Sequence, residues 1–281
     1  MYRISLAIIL MLWFLTSCDL FTLEEGIIYP STYHHLELDQ VLSLNEEFRN
    51  LNDDQICSTL NEFGFTGFSE LLFENGVNPC ADREIVLIAM NEPDTLDLYV
   101  QSVLLQNGKF TGVKDENSLS LLSIEPYRVL PINEGPGVGS EVVEWRLVYG
   151  NQIEESVEIP STEIEVIVDA LGVNRIWGHH YPELYIPLMP NVDPDKAQGI
   201  VNDLQNLQAK LPFCSSPDEI QITNSKKVIQ NKNDDLVEIR IGWAAIGSVD
   251  TGIESDCSFI VDFMDGSIIV EEPDTFYQPV L

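Results

Sequence analysis

The sequence predicts an α+β fold in which antiparallel sheets pack on helices, with a small helical subdomain in front. Three observations predict it. Between Trp145 and Trp177, apolar and polar residues alternate in successive short runs, the two-residue period of half-buried strands. Two other stretches, Leu96 to Leu104 and Ala197 to Leu207, space their apolar residues by three and four, as one face of a helix does. The chain is also 44% hydrophobic and 21% charged over 281 residues. That suffices for one or two packed domains and is too apolar for a disordered chain.

The amino terminus reads as an export signal. Met1-Tyr2-Arg3 is a short basic start, and Ile4 to Leu15 is nearly all apolar but too short to span a membrane comfortably. Leu15-Thr16-Ser17-Cys18 follows and resembles a bacterial lipobox, in which the cysteine becomes the lipidated first residue. The other reading is an ordinary cleaved signal with an incidental cysteine. Residues 1–17 are therefore expected to be a lipoprotein signal peptide, and 18–35, which lack periodicity, a tether. Acyl chains on Cys18 would hold the protein to a membrane, each buried methylene contributing roughly 0.8 kcal/mol. Glu24-Glu25 resembles the acidic start of surface lipoproteins, and Asp19 an inner-membrane retention signal. The expected location is the bacterial cell envelope, the outer membrane or cell surface rather than the inner membrane.

Residues 36–82 have a helical pattern. Asp53 can cap a helix carrying Ile56, Leu60 and Phe63 inward as far as Gly64. Thr66 can cap another, with Phe68, Leu71 and Leu72 buried and Gly76 at its end. Phe63, Phe65, Phe68 and Phe73 are assigned to its core.

In residues 83–212, Glu84 to Met90 reads as a short apolar strand. Pro93-Asp94 opens a helix with Leu96, Tyr99, Val100, Val103 and Leu104 at helical spacing, ended by Asn107-Gly108. Leu119 to Ile124 is strand-like. The loop Gly135 to Gly139 is no phosphate loop, because neither a Lys-Ser/Thr pair nor a helix follows it. Trp145, Leu147 and Tyr149 share one face of a strand. Ile164, Val166 and Val168 share another, with Glu163, Glu165 and Asp169 turned outward. Asp169 to Gly172 is a turn signal into a third strand, Val173 to Trp177. Asp193-Pro194 starts a helix that presents Ala197, Ile200, Val201, Leu204 and Leu207 and stops at Leu211-Pro212. Residues 213–281 read as antiparallel sheet. Val237, Ile239 and Ile241 alternate with Glu238, Arg240 and Gly242, and Phe259 to Asp262 meets Ile268 to Val270 across Asp265-Gly266.

Four cysteines lie beyond Cys18, namely Cys57, Cys80, Cys214 and Cys257. An even number in an exported chain favours two disulfides. Of the three connectivities, the sequential one (Cys57–Cys80 with Cys214–Cys257) closes each loop within one region. None stands in a Cys-x-x-Cys pair, which argues against zinc or redox chemistry. The chain has 46 acidic and 14 basic residues, a net charge of −32. Such a surface repels nucleic acid and suits an exported protein.

Catalytic signals are weak. His179-His180-Tyr181-Pro182-Glu183 is the one cluster that invites a metal, but adjacent histidines on a strand point apart and Pro182 opposes a helix there. The chain has no His-Glu-x-x-His and no Gly-x-Ser-x-Gly. No catalysis, metal or cofactor is expected.

One ordered set of motifs remains. A Trp-containing strand ends in Asn151-Gln152, and a Thr-led strand begins at Ser161-Thr162. An Asp-x-x-Gly turn follows at Asp169, then Ile176-Trp177-Gly178-His179-His180-Tyr181-Pro182 and a helix with Lys196-Ala197. Val261-Asp262 and Asp265-Gly266 close the series. This order resembles the fungalysin/thermolysin propeptide (FTP) and PepSY modules that precede secreted metallopeptidases, over about residues 94–272. The resemblance implies a cystatin-like α+β fold over 83–212, a PepSY-like sheet over 213–281, and a protein that docks on another exported protein, such as a peptidase. No peptidase domain follows the motifs in this sequence. Trp177, His179, His180 and Tyr181 are then candidate partner contacts if the strand end is exposed; the alternative places Trp177 and Tyr181 in the core. A second reading is a structural envelope lipoprotein that reuses the fold.

Overall fold

The computed structural model describes residues 29–80, 83, 84, 86–92, 94–129, 140–206, 219–233, 236–248 and 254–270, with the side chains of 204–206, 219, 233, 248 and 254–258 left out. Strand β1 (Ser31–His34) and helix α1 (Leu38–Leu51) come first. A hairpin of β2 (Thr59–Leu60) and β3 (Thr66–Gly67) follows, then the short helix α2 (Glu70–Glu74). Next come α3 (Leu96–Gln106), α4 (Gly108–Thr111), β4 (Leu121–Val129), β5 (Glu141–Tyr149), the small hairpin β6 (Ile153–Glu154) with β7 (Val157–Glu158), β8 (Ile164–Asp169) and β9 (Gly172–Trp177). Helix α5 (Pro194–Asn206) then leads to β10 (Glu219–Asn233), β11 (Leu236–Ser248), β12 (Glu254–Asp262) and β13 (Ile268–Val270).

The chain is α+β, and its strand pairs are antiparallel. The same unit occurs twice. Helix α3 is followed by a sheet ordered β4-β5-β8-β9, and α5 by strands pairing in the sequence β10-β11-β12-β13. Strand β1 joins the second sheet by pairing with residues 236–239 of β11, while β12 pairs further along the same strand.

Each sheet has its own core. Beneath the first, Leu96, Val100 and Leu104 of α3 meet Leu147, Tyr149, Ile164, Val166 and Ile176. Beneath the second, Ala197 and Val201 of α5 meet Ile239, Ile241, Trp243, Phe259 and Val261. A fully buried aliphatic side chain of this kind contributes roughly 1.5–3 kcal/mol. The predicted alternation therefore becomes the inner face of β5, β8 and β11.

Several expectations are corrected. Residues 31–34, read as the end of the tether, form β1, because Ser31 to His34 find backbone partners at Leu236 to Ile239. The helical subdomain holds one long helix, and that helix is α1. Asp53 and Asp54 have positive φ (50° and 58°), so no helix starts there, and Leu60 lies in a hairpin. Helix α2 is capped by Ser69, whose hydroxyl accepts from Leu72 N–H at 3.0 Å, rather than by Thr66. Nor does this region stand apart: Phe48, Ile56 and Leu60 belong to the first core and Phe65 to the second. Phe68 and Phe73, expected inside, are 56% and 68% exposed. Described residues between 84 and 90 form no strand; Met90 N–H donates to Val142 at 2.7 Å. Helix α5 packs with the second sheet, ahead of the expected boundary at 213. The Gly135–Gly139 loop and the Leu211-Pro212 stop lie outside the described residues.

Candidate functional site

Four of the motif residues, Asn151, Gln152, Thr162 and Tyr181, meet in one hydrogen-bonded knot. Gln152 Nε2 donates to the Tyr181 carbonyl (3.0 Å), and Tyr181 N–H donates to Gln152 Oε1 (2.7 Å). Gln152 N–H donates to Thr162 Oγ1, and Thr162 N–H to Asn151 Oδ1, each at 2.8 Å. Gln230 of β10 reaches the same place, accepting from the Tyr181 hydroxyl at 3.2 Å. Gly178 belongs to this knot for a steric reason. Its φ is +85°, and a Cβ there would run into the Glu163 carbonyl. These side chains hold backbone to backbone, which is an architectural task.

The four candidate contacts separate. Trp177 is half-buried and faces a surface groove. Tyr181 (4% exposed) lies in the core, as the alternative reading has it, and His180 (1%) is buried too, so neither meets the condition of an exposed strand end. His180 N–H donates to the Thr111 carbonyl at 2.8 Å. The His179 ring stacks on Phe65 (centroids 4.7 Å, 13° between planes) and meets Tyr181 edge-on. Chain leaving β9 turns inward here because its backbone is claimed by Thr111 and Gln152.

Neither His179 Nε2 nor His180 Nε2 has a hydrogen-bond partner among the described residues. Burial pushes the His179 pKa down to about 3 and that of His180 to about 4, against the opposing pull of a hydrogen bond to the Thr66 and Gly150 backbones respectively. Both folded-state values lie below the unfolded value of about 6.5. The neutral rings therefore favour folding above that pH, and the advantage is lost as pH falls towards 3–4, where the unfolded chain binds the extra protons. Acidification also relieves repulsion in a chain of net charge −32, so the wild-type curve alone mixes two opposite effects. The difference between wild type and His179→Phe separates them. It is expected to slope by about 1.4 kcal/mol per pH unit between pH 6 and 4 in urea denaturation. Parallel curves would refute the assignment.

At the other end of β9 lies a buried ion pair. Arg83 Nη2 donates to both oxygens of Asp169 at 2.6 and 2.7 Å, and each side chain is 3% exposed. Asp169 also accepts from Leu171 N–H (2.8 Å) and Asn174 Nδ2 (3.2 Å). The residue expected to face solvent is thus the anchor of the β8–β9 turn.

The surface feature best suited to binding is the groove of about 250 Å³ beside β9. Phe68, Phe73, Val77 and Pro79 line it together with Arg175 and Trp177, and Cys57 and Cys80 also border it. Those two cysteines form a disulfide; of the expected Cys214–Cys257 pair, Cys214 lies outside the described residues and the Cys257 side chain is left out, and Cys18 also lies outside them. Phe68 and Phe73 rings sit 6.1 Å apart, and the Arg175 guanidinium lies 5.6 Å from the Trp177 ring centroid. A helix begun at Thr66 turns Phe68 inward with Leu71 and Leu72, and Phe73 reads as core along with the other aromatics of the region. Starting the helix at Ser69 instead leaves only five residues, with Leu72 inward and Phe73 outward.

Among the described residues, no group of three His, Cys, Asp or Glu is placed to hold a metal, and no helix is long and apolar enough to cross a membrane. The chain's class is that of a two-unit α+β protein with an aromatic groove at its surface. No family model matches it, and neither a curated protein nor a solved structure matches it.

Proposed function

We propose that the chain is a non-catalytic binding module of the cell envelope, lipid-anchored at Cys18, that docks on another exported protein. The groove beside β9 is the observation that carries this reading. Large aromatic side chains exposed around a concavity are costly to leave in water and are the usual anchors of protein interfaces. Phe68 and Phe73 with Trp177 make such a set. In this reading the layout is that of FTP and PepSY propeptides, and the partner is a peptidase that the module chaperones or inhibits. Support comes from two helix-plus-sheet units and from the meeting of Asn151, Gln152, Thr162 and Tyr181, the positions that carry the resemblance.

The test is affinity capture from the exported fraction on wild type and on a Phe68→Ser/Phe73→Ser variant. A protein retained by the wild type should bind the variant at least ~30-fold more weakly, given about 2 kcal/mol for a lost aromatic anchor. Equal recovery on both forms, or none across several growth conditions, counts against the proposal. The second reading, a structural envelope lipoprotein, draws on the inward placement of His180 and Tyr181, which removes two of the expected contacts.

A further inference from the structure

We infer that the groove beside β9 takes a peptide segment that sets a carboxylate next to an aromatic or aliphatic side chain, with Arg175 receiving the carboxylate. The inference rests on the binding-module reading and specifies the chemistry of its partner. A net charge of −32 makes a basic partner the default expectation. The groove is a local exception among the described residues, since Arg175 is charged and none of the described residues that line it is Asp or Glu.

Arg49, Arg83, Arg146 and Arg240 each hold a carboxylate within the fold. Arg128 makes no ion pair among the described residues, but it does not line the groove. Arg175 makes no ion pair among the described residues either and does line it. It lies over the Trp177 ring, two residues along the same strand face. A guanidinium held near a ring and not taken by a carboxylate of the fold can donate two parallel hydrogen bonds to a carboxylate from outside.

Size and backbone accounting narrow the occupant. About 250 Å³ is below the roughly 300–1,000 Å³ usual for small-molecule sites, so one or two side chains fill it. Strand addition along β9 is disfavoured, because Cys57 N–H already donates to the Asn174 carbonyl and Ser58 Oγ accepts from Ile176 N–H. Recognition therefore falls to side chains, an apolar one against Phe68, Phe73, Val77 and Pro79 and an acidic one against Arg175.

Fluorescein-labelled, C-terminally amidated hexapeptides read by polarisation against the full chain test this. One carries Phe-Glu, one Phe-Gln and one Phe-Lys at the centre; a fourth ends in Phe with a free α-carboxylate, which separates a terminal from a side-chain source. The expected result is at least tenfold tighter binding of one carboxylate peptide over Phe-Gln. Arg175→Gln should abolish that preference, and Arg175→Lys, which keeps the charge, should retain part of it. Equal affinities, a preference that survives Arg175→Gln, or no binding at millimolar peptide would overturn the inference. If capture still depends on Phe68 and Phe73, the binding-module reading stands without this chemistry; if it does not, both fall.

Discussion

Replacing Asp169 by alanine is expected to destabilise the protein by about 3–5 kcal/mol, because the Arg83 guanidinium would stay buried without its counter-charge. Attraction within such a pair roughly offsets the cost of dehydrating both ions, so the damage comes from removing one partner alone. Arg83 has little in reserve. Its Nε already lacks a partner, and its other described contact is a 3.3 Å bond from Nη1 to the Val173 carbonyl. Asp169 further holds the Leu171 N–H in the β8–β9 turn. Guanidinium unfolding of Asp169→Ala and of the Arg83→Met/Asp169→Leu pair makes the measurement. The double variant should recover most of the loss, since apolar side chains of similar size replace both charges. A loss below 1 kcal/mol in the single variant would mean that Arg83 finds water or another acceptor.

Removing the Cys57–Cys80 disulfide is the second large expected effect, a loss of roughly 3–4 kcal/mol. The bond closes a loop of sequence separation 23, and cutting it restores that freedom to the unfolded chain. Within that loop are the β2–β3 hairpin, α2 and the exposed Phe68 and Phe73. The Cys57→Ser/Cys80→Ser variant is a cleaner probe than a reductant, which would act on every disulfide in the chain. Denaturant unfolding should show the lower midpoint, with a steeper slope as the unfolded state expands. An unchanged midpoint would show that the contacts of Ser58 with Ile176 and of Thr66 with Gly178 already confine the loop.

What could be read beforehand depended on whether the information was local. Ile164, Val166 and Val168 show their inward face by alternation alone, and Asp265-Gly266 shows its turn by residue type, so β8 and the β12–β13 hairpin were legible without knowing their neighbours. Asp169 was not. Its position in the alternation says outward, and the reason it is buried sits 86 residues away at Arg83. The same holds for β1, four residues with no pattern of their own, which become a strand because β11 offers an open edge. Whether His179 and His180 are exposed does not show in the sequence; the approach of Phe65, Thr111 and Gly150 makes them interior. The groove does not show in the sequence, because a cap at Thr66 turns Phe68 inward and Phe73 reads as one more core aromatic, whereas both are exposed.

Tyr29, just ahead of β1, donates its hydroxyl to Asp262 at 2.6 Å and accepts from Ile241 N–H at 3.0 Å, a partner 212 residues further on. During synthesis those partners do not yet exist when Tyr29 and β1 leave the ribosome. Strand β1 must wait unpaired until β11, about as far along the chain as the 212 residues that separate Tyr29 from Ile241, has followed, and its docking comes late in assembly.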